Sequence, residues 1–101
     1  MAINVVLQNE QGRMLEQVVY PDGVPNTLIP FDDESFPYLG YVDPYGDTIF
    51  NYLQMKPFLL DWVRLYAVAS SEAEIDFLRQ VEVLAQKCKT GVGSYLKMLG
   101  D

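Results

Sequence analysis

The chain opens on alternation. In Ile3-Asn4-Val5-Val6-Leu7-Gln8 the residues Ile3, Val5 and Leu7 fall on one face of an extended strand, and β-branched side chains favour that pleated state. A second β-prone run, Met14 to Tyr20, follows the segment Asn9-Glu10-Gln11-Gly12. Gly12 tolerates the positive φ that short connections often need, so the opening predicts an antiparallel hairpin.

Regular patterning then stops. Four of the six prolines lie between Tyr20 and Pro37, together with Gly23, Asn26 and the acidic run Asp32-Asp33-Glu34. Each proline removes a hydrogen-bond donor and restricts its predecessor, which predicts a loop. Its apolar members Val24, Leu28, Ile29 and Phe31 predict that it wraps the surface, and irregular connections of this length are often functional. Tyr38 to Val42 and Thr48 to Asn51 read as two further short strands around Asp43-Pro44-Tyr45-Gly46, where proline second and glycine fourth match a type I turn. That reading gives a second hairpin. A rival one has Asp47 capping a helix that begins at Thr48.

From Pro57 the period becomes helical. Pro57 suits a first helical turn, Phe58, Leu59, Trp62, Val63, Leu65 and Tyr66 form a broad apolar stripe, and Asp61 and Arg64 mark the wet side. Ser70-Ser71 interrupts, and Ser71 with Glu74 has the spacing of a capping box. Val81, Ala85, Cys88, Val92, Tyr95 and Leu99 then recur at helical steps through Gly91 and Gly93, predicting one long helix from about Glu72 to Leu99, weakened near its glycines. The expected fold is therefore α+β, with N-terminal antiparallel hairpins, a long Pro-rich loop and a C-terminal helical hairpin packed on the sheet. Residues 1–101 form one domain, with an acidic β and loop half over 1–55 and the helical hairpin over 56–101.

Length and composition fit this picture. At 101 residues, half of them apolar, the chain can build one core without metal or disulfide staples. Cys88 is its only cysteine, so no intramolecular disulfide forms and a cytoplasmic setting is expected. Met1 to Glu10 has no basic leader or cleavage site, which predicts no signal peptide. The longest apolar candidate for a membrane span, Phe58 to Ala69, is broken by Asp61 and Arg64, so the protein is expected to be soluble.

Charge changes the picture most. Residues 1–55 hold eight acids against Arg13 alone, while residues 56–101 hold six acids and six bases, so the entire net charge of −7 belongs to the first half. Such a field repels phosphate backbones and anionic lipid, so neither nucleic acid nor a membrane surface is an expected partner. A basic protein partner is favoured instead, because opposite potentials speed encounter and suppress wrong pairings.

The chain contains no histidine, which removes Ser-His-Asp, Cys-His and His-metal designs, and no enzymatic activity is expected. Gly91-Val92-Gly93 lacks the third glycine of a phosphate loop and follows no strand pattern. Cys88 lies in the apolar stripe and reads as a small buried hydrophobe. Neither Asp32-Asp33-Glu34 nor the pair Asp43 and Asp47 matches a calcium loop, and no cofactor is expected.

Ten of the thirteen aromatics fall between residues 20 and 62, mixed with the acids and prolines. Tyrosines on acidic irregular backbone supply rigid contact area with a polar tip, which suits a protein-binding face. The candidate partner-binding residues are Asp32, Asp33, Glu34, Asp43, Tyr45 and Asp47, with Tyr45 at the tip of the predicted turn. In bulk properties the chain resembles small bacterial immunity and inhibitor proteins, which are short, acidic and cysteine-poor with aromatics beside the acids. That resemblance implies a domain that neutralises or escorts a basic protein. The alternative is a structural or assembly subunit that forms a homodimer through the helical hairpin, whose stripe is wide enough to leave apolar surface uncovered.

Overall fold

In the computed structural model, residues 3–100 are described; Met1 and Ala2, at the start of the segment read as lacking a leader, and Asp101 lie outside them. The fold is α+β. Strands β1 (Asn4–Gln8), β2 (Met14–Val19), β3 (Asp47–Asn51) and β4 (Tyr95–Leu99) form one antiparallel sheet in the order β2-β1-β4-β3. Helices α1 (Met55–Arg64) and α2 (Glu72–Thr90) form a hairpin, and α2 packs across β1, β2 and β4.

The β1–β2 hairpin forms as its sequence predicts. Asn9 organises the turn: its N–H donates to the Arg13 carbonyl at 3.0 Å, and its side-chain oxygen accepts from the N–H groups of Gln11 and Arg13. Gly12 takes φ +81°, a left-handed conformation open to glycine at little cost. β1 lies between two neighbours, which explains why Val5, Val6 and Leu7 are all buried, whereas β2 at the edge buries only Val18.

Two expectations of secondary structure are corrected. Tyr38–Val42 is not a strand; Leu39–Tyr41 forms a 3-10 turn, and no second hairpin forms among the described residues. β3 is a strand, as the first reading of Thr48–Asn51 had it, and Asp47 begins it instead of capping a helix. Its partner comes from the far end of the chain, with Phe50 opposite Leu96 and Thr48 opposite Met98. The long second helix is the other correction. It stops at Thr90, Gly91 caps it with an N–H to the Cys88 carbonyl, and Gly93 turns the chain at φ +84°. Tyr95–Leu99 then enters the sheet as β4, hydrogen-bonded on both sides, and this pairing outweighs the good helical propensity of Leu96, Lys97, Met98 and Leu99.

The core lies between the inner sheet face and the helices. Ile3, Val5, Leu7, Val18, Leu96, Met98 and Phe50 meet Phe58, Trp62, Phe77, Leu78, Val81, Ala85 and Cys88. Phe58 and Trp62 stack at 5.6 Å, Tyr20 meets the Phe77 ring edge-on at 4.8 Å, and the Trp62 indole N–H donates to the Leu78 carbonyl at 2.9 Å. The buried indole thus keeps its one polar group satisfied. The described chain has no helix long and apolar enough to cross a membrane.

Candidate functional site

Chain direction alternates through the fold, and this decides where the charges go. The loop over 20–46, the connection over 65–71 and the end of β4 meet at one end of the sheet. Two hydrogen bonds and a groove tie them: the Gly100 N–H donates to the Gly46 carbonyl at 2.8 Å, Arg64 donates to the Ser35 carbonyl at 2.6 Å, and Val24, Pro25 and Thr27 line a surface groove with Ser70, Ser71 and Glu74. The turns over 9–13, 52–54 and 91–94 lie at the other end.

Asp61 holds the long loop down. It was expected on the wet side of α1 and is instead buried, with Oδ2 accepting the N–H of Tyr38 at 2.8 Å and of Leu39 at 3.0 Å. These N–H groups begin the 3-10 turn and have no partner within it, so a carboxylate from another element caps it. One turn later in α1, Arg64 lies on the wet side as expected. Its Cζ sits 3.8 Å above the Phe36 ring, so the guanidinium is spent on the loop. Gly40 packs so tightly on the Asp33 backbone that any Cβ would overlap the Asp33 carbonyl.

On this scaffold all six candidate residues are exposed, in two groups at the same end of the molecule. Asp32, Asp33 and Glu34 lie beside the C-terminal turn of α1. Asp32 adopts φ +57°, in the left-handed region, and the Ser35 hydroxyl and backbone N–H hold the Asp33 carboxyl below the usual carboxylate range. Asp43, Tyr45 and Asp47 sit against the end of β4. Asp43 is partly occupied by its own turn, accepting the Tyr45 N–H at 2.9 Å, and Asp47 is 3.4 Å from Lys97 Nζ. Tyr45 projects freely at 76% exposure, in agreement with its predicted place at a turn tip.

Further groups at this end were not singled out from the sequence. Glu72 and Asp76 begin α2, Asp22 lies in the loop, and Tyr41, at the end of the 3-10 turn, is 71% exposed. The acids at the start of α2 carry a local signal, since Ser71 accepts the Glu74 N–H as N-cap and acidic side chains favour the positive end of the helix dipole. Glu74 itself turns inward, accepting the N–H and hydroxyl of Ser70 at 2.8 Å, and these bonds hold its carboxyl below the usual range. Eight exposed carboxylates, at Asp22, Asp32, Asp33, Glu34, Asp43, Asp47, Glu72 and Asp76, thus gather towards one end. Arg13, Lys56, Lys87 and Lys89 are carried to the opposite end, near Glu10 and Glu16. The folded molecule is electrically polar from end to end.

Among the described residues no three of His, Cys, Asp and Glu group closely enough to hold a metal ion. Cys88 is fully buried, and burial pushes its thiol up to about 11. The geometry is that of an exposed surface of aromatic and acidic side chains on an irregular backbone held by a buried carboxylate. Comparison with protein-family models, curated proteins and solved structures finds no match for this chain.

Proposed function

We propose that this is a protein-binding domain of the immunity or inhibitor type, which neutralises or escorts a basic partner protein through its acidic end. One observation carries the reading: eight exposed carboxylates collect at one end of the molecule, where Arg64 is already engaged by Phe36 and Ser35. Asp32, Asp33, Glu34, Asp43 and Asp47 supply the field, and Tyr41 and Tyr45 supply the aromatic contact. The loop is tied down before binding, which lowers the ordering cost of association.

Affinity capture of the tagged protein from its native lysate at low salt, followed by mass spectrometry of what elutes as salt rises, tests this. A basic protein is expected to elute with salt, and Asp33→Lys combined with Glu34→Lys should abolish its capture. Binding indifferent to both salt and these substitutions would overturn the reading, because exposed charges separated by more than about 10 Å are largely screened at 0.1 M salt.

A further inference from the structure

The sheet has two edges, β2 and β3. At the β3 edge, among the described residues, the Asn51 N–H donates to Gln54 Oε1, Thr48 Oγ1 accepts the Asp43 N–H and the Tyr38 ring lies against Phe50, so loop and side-chain groups crowd the strand from both ends. At the β2 edge, among the described residues, no backbone group of residues 14–19 bonds to anything beyond β1. This edge is six residues long, has no proline or lysine, and exposes Met14, Leu15 and Val19 by more than half. Glu16, in an ion pair with Lys87 of α2 at 2.7 Å, is its one charged side chain, and unpaired backbone groups beside exposed apolar side chains are a template for pairing with another strand.

We propose that β2 pairs antiparallel with β2 of a second copy of this chain, about a two-fold axis at Gln17, joining two sheets into one of eight strands. The register follows from the sequence of the strand. Centring on Gln17 sets Leu15 opposite Val19 of the second copy, twice, and Glu16 opposite Val18, with no like charges facing. Centring on Glu16 would set two carboxylates against each other, and centring on Val18 would bring Pro21, which has no N–H, opposite Leu15. The β-bulge that shifts the β1–β2 register lies at the Leu15 margin of this ladder, and Glu16 to Val19 pair regularly with β1.

Charge complementarity favours a second copy over an unrelated peptide. In this antiparallel arrangement Arg13, just before β2, lies towards the end of the second copy's β2 that leads into Asp22, and neither Arg13 nor Asp22 forms an ion pair within the described chain. Antiparallel pairing also places the acidic end of each copy beside the basic end of the other. The net charge of −7 therefore does not oppose the dimer as it would in a parallel arrangement. The two acidic ends point in opposite directions and stay free.

The test is sedimentation velocity of the full chain from micromolar to sub-millimolar concentration, with cross-linking by introduced cysteines. The wild type is expected to shift from monomer to dimer, and Leu15→Lys and Val19→Lys, both at exposed positions, should hold it monomeric with an unchanged circular dichroism spectrum. Residues facing each other across an antiparallel ladder have Cα atoms about 4.5–5.5 Å apart, within disulfide reach. Gln17→Cys should therefore oxidise to a covalent dimer, whereas Val92→Cys at a distant exposed position should not. Arg13→Glu and Asp22→Lys should each weaken the dimer at least about fivefold, and together restore it. A monomer at every concentration, or cross-linking of Gln17→Cys no faster than of Val92→Cys, would overturn the proposal.

Discussion

Replacing Asp61 by alanine should loosen the long loop and destabilise the whole fold. The carboxylate accepts two backbone N–H groups, from Tyr38 at 2.8 Å and Leu39 at 3.0 Å, and both residues are shielded from water to different degrees. Leu39 is fully buried, so its orphaned N–H costs about 2 kcal/mol; Tyr38 is partly exposed and costs about 1 kcal/mol. Removing a buried carboxylate returns part of its desolvation cost, which leaves a net loss of about 2–3 kcal/mol. With an m-value of about 1.5 kcal/mol/M, the urea midpoint should fall by about 1.3–2 M. Asp61→Asn retains an oxygen acceptor and should lose less than half as much. Hydrogen exchange gives a local readout, since the Tyr38 and Leu39 amides should lose protection ahead of the β1 and β4 amides. A midpoint within about 0.5 M of wild type for Asp61→Ala, with those amides still protected, would refute the assignment of Asp61 as the anchor of the loop.

Other consequences follow from the same contacts. Gly40→Ala drives a methyl group into the Asp33 carbonyl and should destabilise by about 2 kcal/mol or more in thermal or urea unfolding, whereas alanine at exposed Glu34 should change stability by less than about 0.5 kcal/mol. Cys88, its thiol pushed up to about 11 by burial, should resist a thiol reagent at pH 8 in the native protein and react fully once urea unfolds it. Glu74 titrates below its ordinary value of 4.5 in the folded chain, so its stabilisation is present above that value and is lost as pH falls through the lower native value. Acid unfolding of Glu74→Gln should accordingly show a smaller loss of stability below pH 4.5 than the wild type, as read by circular dichroism.

The fate of residues 91–99 shows how far local pattern reaches. Tyr95 and Leu99 stand four residues apart, and a step of four returns to the same face in a helix and in a strand alike, so this pair could not separate the two states. Only the step from Leu96 to Met98, both buried, has the strand period, and two residues are too few to outvote a helical stripe that had run correctly through Val81, Ala85 and Cys88. What placed Tyr95–Leu99 in the sheet was the slot between β1 and β3, which lies far away in sequence. Asp61 was misread for a related reason. Its partners are 22 and 23 residues distant, and its charge points to the solvent side although Phe58, three residues before it, and Leu65, four after it, are both buried on the same face.

The sequence by itself determined the α+β class, the β1–β2 hairpin, the Pro-rich loop, the Ser71 cap, the burial of Cys88 and the exposure of Tyr45, because each rests on interactions within a few residues. It also showed that the charge was uneven. Tertiary structure alone decided the strand order, the use of Asp61 as an anchor, and the gathering of Glu72 and Asp76 with the loop acids, since these depend on which ends of antiparallel elements meet. Alternating chain direction turned an imbalance between two halves of a sequence into an imbalance between two ends of a molecule.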